Sequence, residues 1–134
     1  MLHNAVNLAK GEGKDDENIK LLGEGWTGDE ALAIAVYCAL RHFDSFEDAV
    51  ISSVNHSGDS DSTGAICGNI MGCLLGRKAI PSKFTEHLEL LDVIEEMAHD
   101  IWTGCIISEY DPINTPEKKS WLRKYVKDRW KSDS

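Results

Sequence analysis

The four cysteines, Cys38, Cys67, Cys73 and Cys105, include no CxxC pair and no spacing that suggests a disulfide framework. Three of them sit within apolar helical patterns, where a free thiol behaves as a small hydrophobe. No basic stretch followed by an apolar run marks a signal peptide. The longest apolar stretch, Ala65 to Leu75, falls far short of the ~20 residues that a membrane span needs. Positive charge is scarce as well: 14 Lys and Arg face 23 Asp and Glu, a formal net charge of −9. That balance argues against nucleic acid and against an anionic membrane as main partner. No strand-length alternation, internal repeat or domain boundary is visible. These absences leave a single all-α domain over residues 1–134, with a reducing cytoplasm as the expected setting.

What is present suffices for a core, since 42% of 134 residues are hydrophobic. The charge is unevenly spread. From Glu117 to the end, seven Lys and Arg stand against three acids, a net of +4, and residues 1–116 carry −13. The basic tail either docks on the acidic body or forms a solvated helix face, and the solvated face is the preferred reading.

Helical periodicity runs through most of the chain. Leu2, Ala5, Val6 and Ala9 read as the end of a helix, and Gly11 to Asn18 as a polar loop. Thr27 and Glu30 form a capping box that opens a helix to about His42, with Leu32, Ala35, Val36, Ala39 and Leu40 as its buried stripe. Ser45 opens the next helix, through Phe46, Ala49, Val50 and Val54. A third is expected from near Ser62, and a fourth from about Leu88 to Trp102 through Leu91, Ile94, Met97, Ala98 and Ile101. Asp111 to Thr115 is a connector. Thr115-Pro116 then predicts an N-cap with proline at the first helical position, before Trp121, Leu122, Tyr125 and Arg129. Gly64, Gly68, Gly72 and Gly76 fall four apart. Each costs about 1 kcal/mol against alanine in a helix interior, so the expectation is a central helix tightly packed along that stripe.

The most concentrated chemistry lies at His56 to Gly64, HSGDSDSTG, where two carboxylates and four hydroxyls precede an apolar helix. As an EF-hand the stretch starts well at Asp59, Asp61 and Gly64. Position twelve, a bidentate Glu in that motif, is Ile70, so the calcium loop fails. The DxDx[TV] phosphatase loop needs a buried strand just before it, and Phe46 to Asn55 has helical periodicity instead. Hard divalent cations favour oxygen donors, and two carboxylates two residues apart plus a hydroxyl can converge on one.

GEGWTGDEALAIAVYCAL (Gly23–Leu40) and FEDAVISSVNHSGDSDSTGAICGNIMGCLLG (Phe46–Gly76) together resemble the ADP-ribosylglycohydrolase family. The resemblance implies an orthogonal all-α bundle, of which this chain is the C-terminal half. It implies a dinuclear Mg2+ site, with Mn2+ as an alternative, to which Asp59, Asp61 and Ser62 contribute. The implied reaction cleaves the glycosidic bond of ADP-ribose on a protein side chain or small conjugate. Gly25 and Trp26 match the family's aromatic-bearing loop near the nucleotide. Trp26 either stacks on adenine or anchors the core. His56 invites a general-base role, with structural hydrogen bonding in the turn as the preferred reading, and no catalytic acid or base is assigned. Trp102, Trp121, Trp130, Cys67 and Cys73 are read as core or interface residues. The family's N-terminal Thr-Asp-Asp ligand set is missing; Lys14-Asp15-Asp16-Glu17 lacks the threonine and falls in the expected loop. Activity is therefore expected to need a complementary N-terminal half. The other reading is a catalytically inactive ADP-ribose-binding or structural fragment.

Overall fold

The computed structural model describes residues 1–104 and 115–124, and these form helices and turns with no strand among them. The chain divides into two compact units, residues 1–87 and 88–134. The all-α expectation holds.

In the first unit, α1 (Leu2–Lys10), α2 (Asp15–Lys20), α3 (Gly28–Arg41), α4 (Phe46–Val54) and α5 (Ser60–Leu75) follow one another. Short 3-10 turns occupy Arg77–Ala79 and Ser82–Phe84. The central helix is α3, not the glycine-rich α5. It packs against α1, α2, α4 and α5, and it buries Ala31, Ala33, Ile34, Ala35, Tyr37, Cys38 and Ala39. Leu32 and Leu40, expected in its buried stripe, are exposed. Apolar residues occur almost all round α3, so periodicity alone does not single out the inner face. Leu40 instead joins Val36, Phe43, Ile70, Cys73 and Leu74 along an apolar groove of about 430 Å3 between α3 and α5.

Ser45 caps α4 as expected, accepting from the Asp48 N–H at 3.2 Å. Phe46 meets Phe84 edge to face at 5.6 Å between ring centroids, and the Lys83 ammonium pairs with Glu47.

The glycine expectation is overturned at three of its four positions. A Cβ at Gly64 would lie 2.6 Å from Val54 Cγ1, so that glycine does admit a neighbour. Nothing lies within 4 Å of a Cβ at Gly68, Gly72 or Gly76, and Gly76 is the C-cap with φ 78°. Gly72→Ala therefore adds helix propensity without a clash and raises stability by about 0.5–1 kcal/mol. Urea unfolding measures this, and a loss of stability would show that α5 needs a bare backbone at that point.

The polar stretch expected as a loop contains α2. Its first turn carries Asp15, Asp16 and Glu17, which suit the positive end of a helix, and Ile19 is buried. Polarity hid the helix, because six residues are too few to show a periodic apolar face. Asp15 seats it. Its carboxylate accepts from Tyr37 Oη at 2.6 Å and Ser52 Oγ at 2.9 Å, and lies 2.6 Å from His42 Nε2. Burial pushes the Asp15 carboxyl up, but the Tyr37, His42 and Ser52 hydrogen bonds outweigh it and hold the group below its usual range. Burial, with the Asp15 bond second, raises the Tyr37 hydroxyl to about 12.

The two shifts have opposite consequences. A depressed Asp15 stabilises the fold above the ordinary aspartate range, and that contribution is lost as pH falls through the folded value. A raised Tyr37 stabilises below the ordinary tyrosine value of 10.0 and is lost as pH climbs toward 12. Asp15→Ala strands the Tyr37 and Ser52 hydroxyls and lowers stability by about 2 kcal/mol. The same change flattens the acid limb of a stability–pH curve; an unchanged limb would refute the assignment.

The second unit contributes α6 (Leu91–Trp102) and α7 (Pro116–Leu122) within its described residues. Thr115 caps α7 through Lys118 N–H at 3.1 Å, with proline at the first helical position as expected. Lys124 Nζ reaches Glu96 at 2.6 Å and Asp100 at 3.0 Å. Ile94, Met97 and Ile101 on α6 are exposed, and Trp102 is 88% exposed, so it is not a core residue. Cys67 is buried as expected and Cys73 is exposed. Cys105, the connector from Asp111 to Asn114, Tyr125, Arg129 and Trp130 lie outside the described residues.

Candidate functional site: the head of helix α5

Two loops meet at the start of α5. The first, Gly23 to Trp26, leads into α3. The expected capping box is present in sequence but bonded differently. Thr27 is the N-cap residue but accepts no bond from the helix's backbone N–H groups; its hydroxyl donates instead to the Asp29 side chain, Oδ1, at 2.7 Å. Glu30 reaches further back, accepting from Gly25 N–H at 3.1 Å. Gly23, with φ 116°, keeps clear of that carboxylate; a Cβ there would lie 2.6 Å from Glu30 Cδ.

The second loop, Asn55 to Asp59, is stitched to the first. Asp59 N–H donates to the Glu24 carbonyl at 2.8 Å. The approach is so close that a Cβ at Gly58 would fall 1.8 Å from Glu24 O. Gly25, with φ 82°, turns under this contact, and a Cβ on it would meet Thr63 Cγ2 at 3.0 Å and Asp59 O at 3.4 Å. Gly25 and Asp59 are thus brought together from positions 34 residues apart in sequence. Trp26 is 69% exposed, and its indole N–H donates to Glu24 Oε2 at 3.2 Å. Among the described residues no core covers the indole.

Asp59 is the N-cap residue of α5, and Asp61 and Ser62 lie in its first turn. Asp61 Oδ1 accepts from Ser62 N–H at 2.7 Å. The hydrogen bond with Asp61, and after it the Ser62 hydroxyl, holds the Asp59 carboxyl below its usual range. Hard oxygen donors so placed fit a divalent cation in kind. In number they do not complete a site: among the described residues no group of three or more His, Cys, Asp or Glu side chains is placed to hold a metal ion. Ser62 N–H is taken by Asp61 and Thr63 N–H donates to Asp59 O at 3.3 Å, so two of the amides at the helix head are not open to an anion.

His56 behaves as the structural residue expected of the turn. Its Nδ1 accepts from Gly58 N–H at 3.1 Å, and its Nε2 lies 2.9 Å from Thr63 Oγ1. Thr63, fully buried, donates to the Ser53 carbonyl at 2.7 Å. Sequence reasoning missed Glu24, Gly58, Glu30's long reach and the buried Thr63. The only sequence signal for them was the density of glycine and acid around both loops.

Comparison with known proteins fits this geometry. The ADP-ribosylglycohydrolase family profile matches residues 1–109. ADP-ribosylhydrolase ARH1 of Dictyostelium discoideum is 36% identical over 80 residues, covering 58% of this chain and 20% of that protein. ADP-ribosylhydrolase ARH3 of Mus musculus is 27% identical over 100 residues, covering 65% of this chain and 27% of that protein. An uncharacterized protein of Archaeoglobus fulgidus is 33% identical over 84 residues, covering 63% of this chain and 27% of that protein. No solved structure matches significantly. The chain belongs to the ADP-ribosylglycohydrolase family. It spans between a fifth and just over a quarter of the length of these curated relatives.

Proposed function

We propose that the chain forms part of a hydrolase that cleaves the glycosidic bond of ADP-ribose carried by a protein side chain or a small molecule. The observation that carries this reading is the placement of Asp59 at the N-cap and Asp61 in the first turn of α5, with the Asp59 backbone clasped against a turn that holds an exposed tryptophan. Asp59, Asp61 and Ser62 are the ligands this chain would offer to Mg2+ or Mn2+. Such an ion, when bound, polarises substrate oxygens and lowers the pKa of bound water. The chain's own residues orient the substrate. Trp26 offers a flat apolar face to the adenine, with Glu24 fixing the indole N–H. Gly25 lets that turn approach the acidic pair without a side chain in the way.

Three protein donors leave a dinuclear site incomplete. A complementary N-terminal half supplies the remaining ligands and the proton-transfer group. The apolar groove between α3 and α5, with Phe43 and Leu74 exposed along it, supports a missing packing partner. The three described cysteines are free thiols, which supports a reducing, cytoplasmic setting. No helix among the described residues is long and apolar enough to cross a membrane.

That no third acidic, His or Cys ligand joins the pair among the described residues favours a second reading, an inactive ADP-ribose-binding or structural fragment. Co-expression with the matching N-terminal half separates the two. The hydrolase reading expects no ADP-ribose release from ADP-ribosylated arginine or a small conjugate by the chain alone, and cation-dependent release by the pair. Binding of ADP-ribose with no release by the pair establishes the inactive reading.

A further inference from the structure

We infer that His56 is a positioning residue for the acidic pair, acting as a two-sided spacer between the loop before α5 and the helix's buried first turn. Both ring nitrogens are engaged. Nδ1 accepts the Gly58 N–H at 3.1 Å, so this nitrogen carries no proton. The proton then sits on Nε2 and points to Thr63 Oγ1 at 2.9 Å. The Thr63 hydroxyl passes the chain on to the Ser53 carbonyl at 2.7 Å, at the C-terminal end of α4. The neutral imidazole thus ties the end of α4, the first turn of α5 and the Gly58 backbone into one unit.

The position of Asp59 depends on that unit. Gly58 is pressed against the Glu24 carbonyl, and the next amide, Asp59 N–H, bonds to the same carbonyl. Fixing Gly58 N–H from the other side leaves the Asp59 backbone little freedom. His56 touches no reacting atom and acts through Gly58 and Thr63. The effect of His56 on cation binding rests on the metal reading above, whereas its hold on Asp59 does not.

Amide hydrogen exchange by NMR on the full chain, without metal, tests the hold directly. His56→Ala removes both bonds, and Gly58 and Asp59 exchange about tenfold faster, the measure of one lost hydrogen bond. Amides of the α3 core keep their protection. His56→Asn places a carbonyl oxygen where Nδ1 stood and restores protection at Gly58. Mn2+ titration of the same three proteins reads the consequence, with Kd raised about tenfold in the alanine variant and largely recovered in the asparagine variant. A residue that served only global stability would speed exchange in α3 as much as in the loop, and that pattern overturns the inference. Equal exchange at Gly58 in all three proteins overturns it too. Wild-type chain with a protected loop and no Mn2+ binding would refute the metal reading alone, since the exchange data would still support the hold on Asp59.

Discussion

Asp61→Ala lowers cation-dependent ADP-ribose release by the reconstituted pair at least about 100-fold. Loss of a residue that merely supports a metal ligand costs 10–100-fold in typical sites, and loss of the ligand itself costs no less. The reason is local. Asp59 and Asp61 are the two charged donors at the head of α5, and the survivor cannot neutralise a divalent ion alone. Asp61 is exposed and caps only the adjacent Ser62 N–H, so helix content by circular dichroism stays at the wild-type level. Ser62→Ala has a smaller effect, about tenfold or less, because water replaces a neutral hydroxyl ligand more readily than a carboxylate. Steady-state release with each variant pair checks the order. Asp61→Ala turning over like wild type would mean that the acidic pair is not part of the reaction.

Gly58→Ala is the second large effect, and it falls on the fold. The new methyl would lie 1.8 Å from the Glu24 carbonyl oxygen and 2.5 Å from its carbon. These are backbone atoms held by their own hydrogen bond to Asp59 N–H, so no flexible side chain can move aside. One of the two loops must shift, and the Asp59–Glu24 bond goes with it. Overpacking of this kind costs typically 1–3 kcal/mol, and with the lost bond the expectation is about 3 kcal/mol in urea unfolding. Gly28, where a Cβ meets nothing within 4 Å, provides the matched control, since Gly28→Ala leaves the loop contact intact. Equal stability of the two variants would mean that the clasp is looser than its geometry implies.

The contrast between these glycines shows what the chain's pattern could and could not convey. Helices α3, α4 and α7 were legible because their caps sit next to periodic apolar runs, as at Ser45 and Thr115. Helix α2 was not, since six mostly charged residues carry no period, and its anchoring to Tyr37, His42 and Ser52 spans up to 37 residues. The glycine stripe misled for a related reason. Spacing of four identifies one helix face but says nothing about what lies opposite, and for Gly68 and Gly72 nothing does. The glycine pressed hardest against backbone proved to be Gly58, outside the stripe and packed on a residue 34 positions away. At the candidate site the acidic pair and the Gly-Trp turn were both visible in sequence. Their contact was not, because it runs through the Glu24 carbonyl, a group that every residue carries. The indole of Trp26 was ambiguous for the same reason: burial is a property of neighbours, and it is exposed.

The central claim is that the head of α5 offers a divalent cation the carboxylates of Asp59 and Asp61. Mn2+ binding followed by electron paramagnetic resonance on the full chain tests it most directly, because the signal reports the ion itself and needs neither substrate nor the complementary half. The expected result is weak but saturable binding of a single ion to the wild-type chain, competed by Mg2+ and lost when Asp59 and Asp61 are both replaced by asparagine. Binding that persists unchanged in that double variant, or no saturable binding by the wild-type chain, would contradict it.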